Sequence, residues 1–408
     1  EPQRPQRPQR MKKYFLFAAT VTKSELAAGA SWVSALWTFP SVLASAMLIA
    51  WAAEAAQFLI SQGLALAILA WLQTLPEFAV EAVIAHEAAR DPAKIHLVTA
   101  NFTGSLRLLT GVGWPLIYAT AAFFYRKKNK KPLRAIHLES EHAVEVFGLI
   151  VSILYFVWIY WKGTLNLYDS IFLTIIYFAY LYVLRKIPSR DEEEMDELEY
   201  IPRKILSFRK LYRNAIIIGL FSGGGLILYF VAHPFLDSML AVAVTLGVSQ
   251  FVFVQWVSPF LSEFPEKVSA FHWARQIRSA PMALMNMVSS NINQWTMLIA
   301  MIPIVYSYGV GSAAGIVFDA HQKEEILLTL AQAFVGFMLL LNMHFSWYEA
   351  AGLFILWFAQ FVQPHWRVQI TGIYFLWFAV EILRLFWGTR KLHALGHFTN
   401  LFKRYVLK

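Results

Sequence analysis

The chain has 408 residues, of which 58% are apolar, 16% aromatic and only 15% charged. Soluble domains carry about 25% charged residues, so a soluble enzyme or binding module is excluded. Cysteine is absent, which excludes disulfides, thiolate metal sites and thiol nucleophiles, and the net charge of +9 clusters at helix ends beside lipid rather than on a nucleic-acid face.

Residues 1–10, EPQRPQRPQR, are a Pro-Gln-Arg repeat ahead of Met11 and read as a tag remnant. Residues 11–31 are a mixed N-terminal segment in which Lys23 and Glu25 argue against a clean span. No small-residue cleavage site follows Met11, so no cleaved signal peptide is expected. Apolar windows long enough to span a bilayer then fall near 32–54, 57–88, 95–124, 143–162 and 165–185. The stretch 186–213 carries an acidic run from Asp191 to Glu199 between basic flanks and reads as a solvated loop. Six further spans are expected near 214–245, 248–274, 280–308, 326–344, 347–363 and 368–387. The expected fold class is all-α, a polytopic membrane protein of about 11 transmembrane helices. Its expected organisation is a five-helix repeat over 32–185, a charged loop over 186–213, a second five-helix repeat over 214–363, and an extra helix with a basic tail over 364–408.

Lysine and arginine in short loops set orientation. Arg126, Lys127, Lys128, Lys130, Lys131 and Arg134 follow the third span, Arg275 and Arg278 the seventh, and Arg390, Lys391, Lys403 and Arg404 the last. With eleven spans these lie on the side of the central loop, so that loop and the C-terminus are assigned to the cytoplasm of a cell (inner) membrane. Lys12 and Lys13 then fall outside, a conflict unless residues 12–30 add a span. An odd number of spans per repeat inverts the second copy relative to the first.

Two Pro-Glu steps lie inside apolar helices, Leu75-Pro76-Glu77 and Phe264-Pro265-Glu266. Each precedes an Asn-x-x-small-Ser step, Asn101 to Ser105 and Asn286 to Ser290. A carboxylate within a bilayer costs a few kcal/mol at least and marks a partner or a watery cavity. Proline before it breaks the helix and frees carbonyls. A duplicated pair of this kind points to a cation site between two halves. Calcium takes six to eight oxygens, and two carboxylates neutralise it.

The pattern resembles the sodium/calcium exchanger family of the cation/calcium antiporter superfamily. That family carries Gly-Thr-Ser-Leu-Pro-Glu and Gly-Asn-x-x-Gly-Ser-Asn once per repeat. Here the first copy reads Leu72-Gln73-Thr74-Leu75-Pro76-Glu77 and the second Leu261-Ser262-Glu263-Phe264-Pro265-Glu266. Leu246-Gly247-Val248-Ser249, Leu167-Tyr168-Asp169-Ser170 and the segment from Ser346 to Gly352 extend the similarity. The resemblance implies two inverted five-helix repeats, with one long tilted helix per repeat sliding across four central helices. It implies Glu77 and Glu266 as the essential glutamates, Ser105 and Ser290 as oxygen donors, and Gln73 and Ser262 in the place of the motif threonine. Four residues beyond each serine, where the family places Asn or Asp, stand Leu109 and Gln294. Asn101 and Asn286 are either cavity-lining ligands or interhelical glue.

Other polar residues carry bland and sharp readings side by side. Glu81 and Glu263 line the same cavity or its vestibule. Glu54, Asp237 and Glu381 read as helix-pairing groups. Arg107 lies about 200° around the helix from Ser105 and is expected to pair elsewhere or reach an interface, and Lys267 to snorkel or pair; the alternative is that one of them permanently occupies a cation position. Gly223-Gly224-Gly225 lacks a phosphate-loop lysine and reads as close packing or a flexible point. The expected function is secondary antiport of a divalent cation, calcium, against sodium, with no cofactor and no enzymatic chemistry. The alternatives are coupling to protons or another cation, and a transport-dead sensor or scaffold. Expected partners are inorganic cations and the lipid bilayer; a homo-oligomer is compatible with the sequence.

Overall fold

The structure, a computed structural model, describes residues 32–59, 71–187 and 198–407. The expectations for residues 1–31, for part of the span at 57–88 and for most of the acidic run lie outside them. In an apolar solvent the backbone must satisfy itself, and helices do this without partners. The helices are α1 (Ala35–Gln57), α2 (Leu75–Arg90), α3 (Ile95–Leu108), α4 (Trp114–Asn129), α5 (Ala143–Lys162), α6 (Leu167–Lys186) and α7 (Tyr200–Leu206). They continue as α8 (Lys210–Thr245), α9 (Gln250–Ser262), α10 (Phe264–Arg275), α11 (Ala280–Asn293), α12 (Ile299–Val310), α13 (Ala320–Leu340), α14 (Trp347–Val362), α15 (Arg367–Phe386) and α16 (His393–Leu401). Among the described residues six stretches are long and apolar enough to cross a membrane. The other expected spans are helical where described, but broken, polar or short. Large apolar side chains such as Ile171, Phe172, Ile175 and Phe178 on α6 face outward, as lipid contact requires.

Boundaries differ from expectation where polar residues extend a helix. Helix α13 starts at Ala320 rather than 326, because Asp319 caps it by accepting from the Gln322 amide at 2.7 Å. The region expected as loop up to 213 contains α7 and the first turn of α8. Helix α8 is about 54 Å long at 1.5 Å per residue, well beyond a roughly 30 Å hydrocarbon core, so it tilts or protrudes.

Both prolines of the Pro-Glu steps sit in a first helical turn, at the start of α2 and of α10. There a missing N–H costs nothing within the new helix, while the preceding turn loses a donor. A five-residue π-turn interrupts each following helix, Leu109–Gly113 between α3 and α4 and Gln294–Leu298 between α11 and α12. Each begins four residues after Ser105 or Ser290. Single π-turns recur at functional sites.

Short strands tie the ends together. β1 (Ala135–His137) pairs antiparallel with β4 (His344–Ser346), and β2 (Thr164–Leu165) with β3 (Ile316–Val317). Helix α5 therefore runs from the β1–β4 end to the β2–β3 end, and α13 runs the opposite way. Capping boxes open α6 (Asn166 with Asp169) and α14 (Ser346 with Glu349), at the two segments singled out in sequence.

Helices α1 and α8 pack closely. Ser45 Oγ donates to the Gly224 carbonyl at 2.7 Å, and a Cβ on Gly224 would lie 2.8 Å from Ile49. Close packing thus explains Gly224, whereas Gly223 and Gly225 face open space. The tail is more than a basic surface: Arg390 is buried, binds Glu349, Glu381 (2.8 Å) and the Met338 carbonyl (2.5 Å). Phe398 of α16 stacks on Phe147 of α5. Glu381 also holds Arg384 at 3.0 Å, and Asp237 meets His233 at 3.1 Å, so both act as pairing groups.

Candidate cation site

The proline-restarted helices α2 and α10 each present a glutamate from their first turn, Glu77 and Glu266. Both are completely buried, with Glu81 and Glu263. None of the nine sequence candidates, Gln73, Glu77, Asn101, Ser105, Ser262, Glu266, Asn286, Ser290 and Gln294, is more than 1% exposed. The structure sorts them into separate groups.

The central group is joined by Gln294, the first residue of the second π-turn. Its amide nitrogen donates to Glu77 Oε2 at 2.7 Å and to Glu263 Oε1 at 3.0 Å. Ser105 donates to the same Glu263 oxygen, and its hydroxyl also lies within reach of Glu77. Glu266 interacts electrostatically with Glu77 and with Glu263, and Ser290 lies beside it. Lys267 Nζ meets Glu263 Oε2 at 2.8 Å. Glu77 Oε1, both oxygens of Glu266, the Ser290 hydroxyl and the Gln294 carbonyl oxygen make no hydrogen bond of full geometry among the described residues, although Ser290 approaches Glu266. Buried oxygens are costly unless paired, and five of them beside several carboxylates suit a hard cation.

A second group runs beside it. Asn286 donates to Gln73 at 3.3 Å, Gln73 to Ser269 at 3.4 Å, and Ser269 to Glu54. This places Glu54 of α1 in a polar chain leading to the site, beyond its expected role as a pairing group. Asn101 donates to Glu81 at 2.5 Å, so it serves the carboxylate one turn beyond Glu77. Ser262 turns away and donates to the Ser258 carbonyl of its own helix at 3.0 Å, the back-bonding habit of helical serine. Leu109, fully buried at the start of the first π-turn, supplies no oxygen.

Arg107 does pair elsewhere. It binds Glu325 at 2.5 Å and Gln360 at 2.8 Å, and lies 5.2 Å from the Trp256 ring. Arg367 shares Glu325 at 2.5 Å. Glu263 does more than line the cavity, since it meets Ser105, Gln294 and Lys267. Its signal was present, one turn before Glu266 and one turn before Lys267, but its other partners come from α3 and the second π-turn.

A multi-pass helical membrane protein with carboxylates gathered in a dehydrated centre, entered from two proline-restarted helices, has the build of a cation antiporter. The family model for the sodium/calcium exchanger protein matches residues 29–186 and 216–362, and the chain belongs to that family. A crystal structure of the H+/Ca2+ exchanger CAX is 30% identical over 98% of this chain and 100% of its own, with a TM-score of 0.83. The structure of native YfkE is 15% identical over 89% of this chain and 99% of its own (TM-score 0.56). The sodium-calcium exchanger NCX_Mj soaked with 2.5 mM Na+ and 10 mM Sr2+ is 15% identical over 81% and 97% (TM-score 0.51). These last two likenesses concern the fold alone. No curated protein matches the chain.

Proposed function

We propose that the protein moves calcium across the membrane in exchange for protons, by alternating access between two inverted five-helix halves, 32–185 and 214–363. The observation that carries the reading is the Gln294 amide joining Glu77 to Glu263, with Glu266 in the same buried cluster. Glu77, Glu266, Ser105, Ser290 and the Gln294 carbonyl are the oxygens for calcium. Gln73 and Asn286 position them through the neighbouring chain. The opposed directions of α5 and α13, each tied at both ends by a strand pair, support inversion. The α1–α8 pair supports a sliding element across the central helices.

Protons are favoured over sodium by ligand chemistry. Sodium, like calcium, needs several oxygens at once, and the first π-turn offers Leu109 where the family places an oxygen. A proton needs only one carboxylate oxygen. The similarity to a protein described as an H+/Ca2+ exchanger points the same way. The basic loops assign the central loop and the C-terminus to the cytoplasm.

Purified protein in liposomes tests this. Calcium uptake driven by an outward proton gradient, and insensitive to sodium, is the expected result. Uptake that follows an outward sodium gradient at fixed pH would transfer the coupling to sodium. No gradient-driven calcium movement under either condition would end the antiport reading.

A further inference from the structure

The second Pro-Glu step carries a charge pair that the first lacks. At the offsets of Glu263 and Lys267 from Glu266, the first copy has Thr74 and Phe78 around Glu77. Glu263 immediately precedes α10, and Lys267 returns one turn later to place its ammonium 2.8 Å from Glu263 Oε2. Both are buried, at 0% and 6% exposure. The other Glu263 oxygen takes Ser105 and Gln294, and the same Gln294 nitrogen takes Glu77. The ammonium is therefore one carboxylate away from the calcium oxygens. A buried ion pair adds little stability over apolar residues of similar volume, so stability alone does not account for it.

We infer that Lys267 is a tethered counter-ion. It holds Glu263 while calcium is absent and yields that carboxylate to calcium when calcium binds. The inference rests on the antiport reading above and concerns the charge balance of the same site. Glu77, Glu263 and Glu266 carry three negative charges when ionised. Calcium plus the ammonium balances them, and so does the ammonium with two singly charged ions from solution. The wild-type exchange is then electroneutral, two counter-ions per calcium.

Calorimetric titration of the purified protein with calcium chloride tests the competition. Lys267→Met is expected to bind calcium about tenfold or more tightly, the scale on which one close charge acts on another. In the double-mutant cycle, adding Glu263→Gln is expected to erase that gain. Unchanged or weaker binding in Lys267→Met overturns the inference, and so does a gain that survives Glu263→Gln, because the ammonium would then act only at a distance. In liposomes, wild-type flux is expected to ignore membrane voltage, and flux that follows voltage overturns this charge balance. If Lys267→Met does not fold, Lys267→Arg carries the test. The planar guanidinium grips a carboxylate more firmly, so calcium should bind several-fold more weakly, and wild-type affinity would overturn the inference. A wild-type chain that binds no calcium in the same titration sinks the cation site itself, which is a different failure.

Discussion

The two Pro-Glu regions share a backbone and differ in charge. Each restarts a helix at proline, buries a glutamate in the first turn, and is followed by a π-turn four residues after a serine. In the first region the flanking position holds Thr74, whose hydroxyl accepts from Asn293 at 2.5 Å, and the π-turn opens with Leu109. In the second it holds Glu263, already paired with Lys267, and the π-turn opens with Gln294, which reaches across to Glu77. Both regions break and restart a helix at matching offsets from their glutamate and serine. The polar groups are concentrated on one side, so the second region supplies the Gln294 contact to Glu77 as well as the Lys267–Glu263 pair.

The largest expected effect tests whether the shared part is really shared. Glu77→Gln and Glu266→Gln should each lower calcium flux in liposomes by more than about a hundredfold, since each removes a negative charge from a dehydrated site. Near-normal flux in either variant would show that only one region binds the ion. The next effect sharpens the asymmetry. Arg107 and Ile292 stand two residues after the two serines. Arg107→Leu leaves Glu325 with Arg367 and the Gln255 amide and should cost about 3 kcal/mol, the low end for breaking a buried pair. Ile292→Leu should cost below about 1.5 kcal/mol, and unfolding of both variants in detergent measures the difference. The smallest comparison is between Gly104 and Ser289, one residue before each serine. A Cβ on Gly104 would lie 1.9 Å from the Gln255 carbonyl of α9, so Gly104→Ala should cost about 1–3 kcal/mol. Ser289→Ala removes one hydrogen bond with Tyr180 and should cost about 1 kcal/mol. Equal thermal shifts would mean the two serine helices are packed alike.

Much of the architecture was legible before any coordinates. Long apolar runs give helices because lipid offers the backbone no other partner. The duplicated Pro-Glu step was visible because a proline and a carboxylate are both conspicuous in such runs. Arg107 pairs with Glu325 and Gln360, since a side chain about 200° from Ser105 does not share its face. Other residues were less readable. Ser262 looked like a ligand by its offset, yet a helical serine has its own carbonyl one turn back and takes it. Asn101 was open between cavity lining and interhelical glue, and it donates to Glu81 across the α2–α3 contact.

The sequence by itself determined the elements and their breaks: apolar periodicity, proline positions and caps are local properties, set by the chain within a turn or two of each residue. Only the tertiary structure decided the partners. Gln294 meets Glu77, Arg107 meets Glu325 and Ser105 meets Glu263 across more than 150 residues of chain. Such pairs form because packed helices bring particular faces together and because a buried charge must find an opposite group or a hydrogen bond. No spacing within one helix encodes which distant helix will supply it.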